Sequence, residues 1–198
     1  MPKQVCILTL AKSNSNRLKN KNMKIFRGKP MLYWTIKKAL KITKNYFVNS
    51  DSDEILEFSK LNGAKIIKRD KSLLRDDVSP RLIMESSFKY FPKNTNAVIH
   101  VQANSPNLEI FKIKKMYQII RNTEIEDAYT IFSNNKLNGS MWAITKKRLK
   151  NLNKKNNYHS IVINSEFYLI DNSIDIHTLR DLRESEKMFD YKKVFKNI

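Results

Sequence analysis

Residues 4–22, QVCILTLAKSNSNRLKNKN, decide the fold of this chain. The first part, Gln4–Leu10, is short, apolar and rich in β-forming side chains, which predicts a buried strand. The second part, Lys12–Asn22, is polar and basic, which predicts a long functional loop. Pro30 then takes the first position of a predicted helix whose apolar residues recur at helical spacing through Ile42. The order strand, loop, helix is typical of the first unit of an α/β fold.

Strand-like segments return along the rest of the chain. Ala97–Gln102 is apolar except for His100, as expected of a strand buried on both faces. Because His100 alternates with apolar neighbours, we interpret it as a core residue rather than a catalytic base. The other predicted strands are Tyr46–Asn49, Ala64–Lys68, Ala128–Ser133, Met141–Thr145 and a segment within Ile161–Ile170.

Helices alternate with these strands, and their starts carry capping signals. Asp51 and Glu54 form a capping-box-like start for a helix that ends at Gly63. The other helix signals are the N-cap pair Ser79–Pro80 before a helix through Tyr90, an apolar pattern after Pro106 that ends near Arg121, and the cap Thr178–Asp181. The alternation predicts one α/β domain over residues 1–198, with a mainly parallel, mixed central sheet and helices on both faces.

The chain has 198 residues, of which 41% are hydrophobic and 29% are charged. This composition excludes a disordered protein, and no apolar run reaches the roughly 18 residues that a membrane span requires. The apolar run Val5–Leu10 is too short for a signal peptide, and the single cysteine, Cys6, lies inside it. We therefore expect a cytoplasmic protein with no membrane partner, in which Cys6 is a buried small hydrophobic residue.

The formal net charge is +19, with twelve Lys or Arg residues and no Asp or Glu among residues 1–50. Residues 128–165 also lack acidic side chains. A local basic surface favours an anionic ligand, and taken alone it leaves a basic RNA-binding protein open. Part of the charge reflects a compositional bias, because the chain is rich in Lys, Asn and Ile and has three Gly. No RNP, KH or helix-turn-helix pattern supports the RNA alternative.

The basic loop after the first strand is the main candidate for binding chemistry. In parallel α/β sheets, ligands lie beyond the carboxyl ends of the strands, which is where this loop begins. It contains the basic residues Lys12, Arg17, Lys19 and Lys21 beside the small polar residues Ser13, Asn14, Ser15 and Asn16. This pattern is typical of a triphosphate-binding loop, and equally of a solvated loop in a lysine-rich protein. It contains neither a Walker pattern nor GxGxxG.

Ala11–Asn22 resembles the ARGGSKxIPxKN signature of the acylneuraminate cytidylyltransferases, which activate sialic acids and related sugar acids with CTP. Further segments resemble motifs of that family in the same order along the chain. They are Phe26–Met31 (GKPLI), Val48–Ile55 (VSTDDEEI), Asn62–Ala64 (YGA), Arg69–Ser79 (RPxELAxDxxS), Val101–Pro106 (LQPTSP), Asn138–Trp142 (NGAIY) and Ser173–Thr178 (SIDIDT). The three glycines, Gly28, Gly63 and Gly139, all fall where these motifs carry one.

The resemblance implies a three-layer Rossmann-like nucleotidyltransferase fold. It also implies transfer of CMP from CTP to a nonulosonic acid of sialic, legionaminic or pseudaminic type, with release of pyrophosphate, for surface glycan biosynthesis. The implied catalytic residues are Lys12, Lys21 and Asp175, with Mg²⁺ or Mn²⁺ held by Asp175 and His177. The implied nucleotide-binding residues are Ala11, Lys12, Ser15, Arg17, Lys21, Asn22, Arg69, Asp76 and Ser79, and the implied sugar-binding residues are Gln102, Asn104, Lys136 and Asn138.

Three features depart from the family pattern. His177 stands where the family has a second Asp, which implies a preference for Mn²⁺ or Zn²⁺ or a loss of activity, with Asp171 a further carboxylate to consider. Lys12 replaces an Arg, which keeps the charge but loses the bidentate fork, and Asn16 replaces a basic residue, so Arg17 and Lys19 are candidates to supply the missing charge. The segment between the LQPTSP-like and NGAIY-like motifs has about thirty residues. This implies a dimerisation insert that is shortened or absent, so a homodimer would form in another way.

Alternatives to the sugar-acid cytidylyltransferase therefore stay open. One is a family member that binds a nucleotide or a sugar acid without turnover, which the replacement by His177 favours. Another is a nucleotidyltransferase of the same fold that acts on a sugar 1-phosphate. The third is the basic RNA-binding protein. Within the leading interpretation, an eight-carbon sugar acid would use the same chemistry as a nine-carbon one.

Overall fold

The computed structural model describes residues 1–13, 15, 17–75, 77–152 and 165–196. Its strands are β1 (Gln4–Leu10), β2 (Ile25–Phe26), β3 (Lys29–Pro30), β4 (Tyr46–Ser50), β5 (Lys65–Lys68), β6 (Thr95–Val101), β7 (Asp127–Ile131), β8 (Leu137–Thr145) and β9 (Phe167–Ile170). Its helices are α1 (Met31–Leu40), α2 (Asp53–Leu61), α3 (Pro80–Ser87), α4 (Ile110–Asn122), α5 (Lys146–Asn151), α6 (Leu179–Met188) and α7 (Tyr191–Val194).

Seven of these strands form one mixed sheet in the spatial order β5-β4-β1-β6-β8-β7-β9, and β2 pairs with β3 in a separate hairpin. Strand β1 pairs in parallel with β4 on one side and with β6 on the other. Strand β8 runs antiparallel to both of its neighbours, and β9 is parallel to β7. The predicted mainly parallel, mixed α/β sheet is thus confirmed.

Helices cover both faces of the sheet. Helices α1, α2 and α4 pack on one face through apolar side chains such as Ile36, Ile55 and Met116, all buried. Helices α3 and α5 pack on the other face through Met84 and Leu149. Burial of these apolar surfaces, at about 25 cal/mol per Å², is the main force that joins the layers. Cys6 is fully buried in the same apolar cluster as Met84 and Leu149, as predicted, and burial raises the pKa of its thiol.

The C-terminal helices pack beside the first loop. Leu182 of α6 joins Phe26 and Trp34 in a third apolar cluster, against which Phe189 packs. The rings of Phe26 and Phe189 lie edge to face, with their centroids 5.2 Å apart. The end of the chain is thereby fixed next to the connection between β1 and α1. Thr178 and Asp181 form the predicted capping box at the start of α6.

The start of α2 differs from the sequence prediction. The N-cap is Ser52, whose Oγ accepts a hydrogen bond from the Ile55 N–H at 3.3 Å. Asp51 is not part of a capping box, because its carboxylate accepts hydrogen bonds from Ser13 across the sheet edge. Asp51 directly follows β4, and the loop after the neighbouring strand β1 is close enough for Ser13 to reach its carboxylate.

Other boundaries are also refined, among them β8, which begins at Leu137 instead of the predicted Met141. The helix predicted to run through Tyr90 ends at Ser87 and continues as a 3-10 turn over Phe88–Tyr90. The strand predicted within Ile161–Ile170 lies at Phe167–Ile170, and residues 161–164 are outside the described part of the chain. In the described ranges, no helix combines the length and the apolar character needed to cross a bilayer.

Lys38 is the one fully buried lysine among the described residues. Its Nζ donates hydrogen bonds to the carbonyl oxygens of Pro106 and Leu108, at 2.9 and 2.8 Å. Burial lowers the pKa of Lys38 from the ordinary 10.5 to about 7, although Asp171 acts in the opposite direction. Lys38 therefore ties α1 to the segment after β6 from inside the core.

We expect Lys38→Met to change how stability depends on pH. Between pH 7 and pH 10.5 the unfolded wild type binds a proton at Lys38 that the folded protein releases, so its free energy of unfolding rises with pH in this window. The Lys38 contribution to the slope reaches about 1.4 kcal/mol per pH unit. Urea denaturation at several pH values should show a steeper rise for the wild type than for the variant. Parallel curves would contradict this prediction.

Candidate active site

The predicted site residues gather at one edge of the sheet. The carboxyl ends of the parallel strands β4, β1 and β6 meet there, together with the start of the antiparallel β8 and the segment after β9. The strand order also reverses here, because the chain leaves β1 for β4 and later returns to β6 on the other side. A crevice at such a reversal is the usual ligand site of open α/β sheets.

The basic loop is anchored at both ends. Ser13 donates from its N–H to Asp51 Oδ1 at 2.8 Å and from its hydroxyl to the same carboxylate. Asn22, which is buried, donates from Nδ2 to the carbonyl oxygen of Lys12 at 2.9 Å. Burial would raise the pKa of Asp51, but the hydrogen bonds from Ser13 and the charge of Arg69 outweigh it and lower that pKa. Asp51 is therefore an ionised anchor for this loop.

The cations of the loop differ in exposure. Lys21 is partly buried, and burial is the main cause that lowers its pKa, whereas the charge of Asp175 raises it. Arg17 and Lys19 are exposed, and Lys12 is half-buried. The Ser15 hydroxyl accepts a hydrogen bond from the Leu18 N–H at 3.4 Å. Lys21 and Asp175, 154 positions apart, thus lie close enough to influence each other electrostatically.

Arg69 lies at the carboxyl end of β5, where a buried contact orients its side chain. Its Nε and Nη2 donate to the side-chain and main-chain oxygens of Asn49, at 2.9 and 3.1 Å, and Asn49 in turn donates to Ser87 Oγ at 3.1 Å. Ser79 lies at the N-cap of α3 on the same side of the sheet. Asp76, Asn14 and Asn16 are outside the described residues.

His100 lies buried on β6, as predicted. Burial lowers the pKa of His100 to about 4, Arg69 adds to this shift, and Asp175 opposes it. The imidazole is therefore neutral at physiological pH, and its Nδ1 has no hydrogen-bond partner among the residues described. Both charges act on His100, so this strand position lies within electrostatic range of Arg69 and of Asp175.

The predicted sugar-binding residues fall in two places. Gln102 donates from Nε2 to the carbonyl oxygen of Gly139 at 3.0 Å, and Asn104 contacts the segment that carries Asp175. Asn138 is buried and donates to the carbonyl oxygen of Ser173 at 3.0 Å. Lys136 instead lies exposed on the turn between β7 and β8.

Asp175 and His177 form the candidate metal centre. His177 Nε2 lies 2.8 Å from Asp175 Oδ2, and both side chains are partly exposed. In the described ranges no group of three or more His, Cys, Asp or Glu side chains converges. A divalent cation here would be held by one carboxylate and one imidazole of the protein. A mixed oxygen and nitrogen donor pair suits Mn²⁺ better than Mg²⁺.

Asp171 belongs to the scaffold of this centre. Its carboxylate, 1% exposed, accepts hydrogen bonds from Ser140 Oγ at 2.7 Å and from Ser173, and it pairs with Lys112 at 3.1 Å. Because these bonds occupy its oxygens, Asp171 fixes the segment after β9 to the start of β8. The sequence pattern alone indicates Asp171 only as a further carboxylate for the metal.

Comparisons with known proteins agree with this geometry. A family model described as "Cytidylyltransferase" matches residues 6–193 of this chain. The chain belongs to the cytidylyltransferase family. As with the fold, the family resemblance found in the sequence motifs is thus confirmed.

Two relatives of this family member show the range of the similarity. Pseudaminic acid cytidylyltransferase of Campylobacter jejuni is 30% identical over 122 residues, which are 59% of this chain and 52% of that protein. N-acylneuraminate cytidylyltransferase B of Danio rerio is 31% identical over 114 residues, which are 57% of this chain and 27% of that protein. The chain thus spans about a quarter to a half of the length of these relatives.

A solved structure supports the nucleotidyltransferase fold independently of sequence. The structure of CMP:2-keto-3-deoxy-manno-octonic acid synthetase complexed with CTP superposes on this chain with a TM-score of 0.74. It covers 94% of this chain and 98% of its own, at 13% identity. At this identity the similarity concerns the fold alone.

Sequence reasoning missed the anchoring residues of this cytidylyltransferase. Asp51 and Asn49 hold Ser13 and Arg69, whereas the local sequence predicts a helix cap at Asp51 and the end of a strand at Asn49. Their position at the carboxyl end of a strand beside β1 was the available signal, since the ends of neighbouring parallel strands lie at the same edge.

We expect Asp51→Ala to weaken binding of CTP with a smaller effect on turnover. Without the carboxylate, the loop has lost two charge-assisted hydrogen bonds and must be ordered by the ligand, which we expect to raise the Kd for CTP about tenfold. Asp53→Ala is the matched control, because Asp53 forms an exposed ion pair with Lys68 outside the loop. Titration calorimetry with CTP measures both variants. Equal affinities for CTP would contradict the prediction.

Proposed function

We propose that this protein transfers CMP from CTP to a nonulosonic acid and releases pyrophosphate. The observation that carries the proposal is the meeting of the basic loop with the Asp175–His177 pair at the carboxyl edge of β1 and β6. Cationic groups opposite a candidate cation-binding carboxylate fit a triphosphate, which binds both kinds of charge. Membership of the cytidylyltransferase family supports CTP as that triphosphate.

In this proposal the loop binds the nucleotide. Lys12 and Lys21 contact phosphate oxygens, with Arg17 as an additional cation, and the main chain from Ala11 together with Ser15 and Asn22 shapes the loop around them. Arg69 and Ser79 complete the pocket on the side of β4 and β5, and Asp76 remains a predicted nucleotide ligand. Arg69 is well placed for this role because Asn49 already orients its guanidinium.

The proposed reaction is a displacement at the α-phosphorus. The anomeric hydroxyl oxygen of the sugar acid forms the new bond to phosphorus, the bond to the bridging oxygen breaks, pyrophosphate leaves, and the hydroxyl proton passes to solvent. Lys12 and Lys21 hold the phosphates in line and stabilise the charge of the leaving pyrophosphate. When bound by Asp175 and His177, a divalent cation would neutralise charge on the phosphate oxygens.

The sugar acid would lie on the β6 and β8 side of the site. Gln102 is half-buried at the carboxyl end of β6, next to Gly139, whose backbone has a φ of +77°. L side chains rarely adopt this backbone conformation, which explains the glycine, whereas a Cβ at residue 139 would make only an ordinary contact with Gln102 Nε2 at 3.8 Å. Asn138 and Lys136 remain predicted ligands. The names of the relatives support sialic or pseudaminic acid as the substrate class.

One observation favours a second candidate, a protein that binds the nucleotide without turnover. His177 Nε2 is already within hydrogen-bond distance of Asp175 Oδ2. If this pair kept its mutual bond when CTP is present, the carboxylate would be less available to a cation. The same cleft would then bind CTP or a sugar acid without catalysing the displacement.

A pyrophosphate-release assay separates the two candidates. We expect release that requires CTP, Mn²⁺ or Mg²⁺ and one member of a panel of nonulosonic and octulosonic acids. Asp175→Asn should reduce it about 100-fold or more, because a group that stabilises transition-state charge is lost. Asp190→Asn is the control, since Asp190 caps the short α7 outside the site.

Silence across the panel, with CTP still raising the melting temperature, would favour the binder without turnover. No thermal response to CTP, together with salt-sensitive binding to RNA, would contradict both and support the basic RNA-binding alternative.

His177 should determine which metal supports the reaction. We expect the wild type to be more active with Mn²⁺ than with Mg²⁺, because imidazole is a weak ligand for Mg²⁺. In His177→Asp, a second carboxylate should raise the ratio of the Mg²⁺ rate to the Mn²⁺ rate. Initial rates at saturating concentrations of each metal measure this ratio. An unchanged ratio would mean that His177 does not contact the cation.

A further inference from the structure

The carboxylate of Asp175 lies on a segment without regular secondary structure, so something else must fix its direction. Residues 171–177 connect β9 to α6 in an irregular conformation. The main chain of this segment is attached to the loop after β6, because the Ile176 N–H donates to the carbonyl oxygen of Asn104 at 2.9 Å. A main-chain bond holds the segment in place but leaves the Asp175 side chain free to rotate.

The side chain of Asn104 supplies the missing constraint. Asn104 is 2% exposed, and its Nδ2 donates to Asp175 Oδ1 and to the carbonyl oxygen of Ile176, the latter at 3.0 Å. Both hydrogens of the amide are therefore used within the protein. With Oδ1 bound to Asn104, Oδ2 is the oxygen that faces His177.

Helix α1 holds the loop that carries Asn104. Thr35 Oγ1 donates to the carbonyl oxygen of Gln102 at 3.2 Å, and Lys38 Nζ donates to the carbonyl oxygens of Pro106 and Leu108. Thr35 and Lys38 are fully buried and one helical turn apart. The loop on both sides of Asn104 is thus fixed to the rigid core, which makes its amide a stable reference for the carboxylate.

We propose that Asn104 is a positioning residue that fixes the Asp175 carboxylate for metal binding, rather than a ligand of the sugar acid. The inference rests on the proposed function, since it assumes that Asp175 binds the cation. Hydrogen bonds that orient a metal-binding carboxylate commonly change metal affinity by about 10- to 100-fold when they are removed. A sugar ligand would instead change KM for the sugar acid.

The test compares Asn104→Ala and Asn104→Ser with the matched control Asn107→Ala. Asn107 lies in the same loop and donates from Nδ2 to the carbonyl oxygen of Ser185 at 2.9 Å, so it also ties this loop to the C-terminal segment. The main-chain bond between Ile176 and Asn104 is kept in all variants, which favours correct folding. Serine retains one short donor and should restore part of the affinity.

Mn²⁺ binding in the presence of CTP, followed by the electron paramagnetic resonance signal of free Mn²⁺, is the direct readout. We expect Asn104→Ala to bind Mn²⁺ about tenfold or more weakly, Asn104→Ser to be intermediate, and Asn107→Ala to match the wild type. At saturating Mn²⁺, KM for the sugar acid should be unchanged in the Asn104 variants.

Three results would overturn the inference. Wild-type Mn²⁺ affinity with a raised KM for the sugar acid would identify Asn104 as a sugar ligand. Equal loss of Mn²⁺ affinity in Asn104→Ala and Asn107→Ala would show that the loop acts only as a structural support. Absence of Mn²⁺ binding and of pyrophosphate release in the wild type would remove the proposed function, and the inference with it.

Discussion

Strand β1 pairs in parallel with β4 on one side and with β6 on the other, and the rest of the structure depends on this arrangement. The connection from β1 leads to β4, whereas the connection from β6 turns away toward β7, so the two loops diverge over the sheet edge. The divergence of these two loops is sufficient to form a crevice between them. Residues far apart in sequence, such as Lys21 and Asp175, meet there because the carboxyl ends of all parallel strands lie on one side.

The balance of charge at this edge follows from the same arrangement. The first 50 residues supply cations without any acidic residue, so every carboxylate that balances them must come from later strands. Asp51 follows β4 and anchors the loop through Ser13, whereas Asp171 and Asp175 follow β9. The loop therefore carries more cations than the nearby carboxylates can neutralise, which suits a polyanionic ligand. Each of these three carboxylates accepts a hydrogen bond from a neighbouring side chain.

Much of the fold could be predicted from sequence because its signals are local. The limits of β1, the capping box of α6 and the glycine after α2 depend on residues within a few positions of each other. The burial of apolar side chains on both faces of the sheet also follows from the periodicity of the sequence.

The role of Asp51 could not be predicted in this way, because its partner Ser13 is 38 positions away and a capping motif was available locally. The sequence motif predicts Asn104 as a ligand of the sugar acid, whereas its contact with Asp175 spans 71 positions and depends on how the segment after β9 folds back.

The buried asparagines have structural roles that the amino-acid composition alone does not show. The abundance of Lys, Asn and Ile indicates a compositional bias, which explains part of the positive charge. Yet all buried asparagines among the residues described lie at the site edge: Asn22, Asn49, Asn104 and Asn138. Each fixes a different element of the site by hydrogen bonds: the basic loop, Arg69, Asp175 and the main chain at Ser173. A buried amide is costly unless its donors and acceptor are paired, and it carries no charge that would compete with phosphate or metal. Neutral side chains that both donate and accept are therefore well suited to hold the charged groups of the candidate site in place, and these four asparagines are in positions to do so.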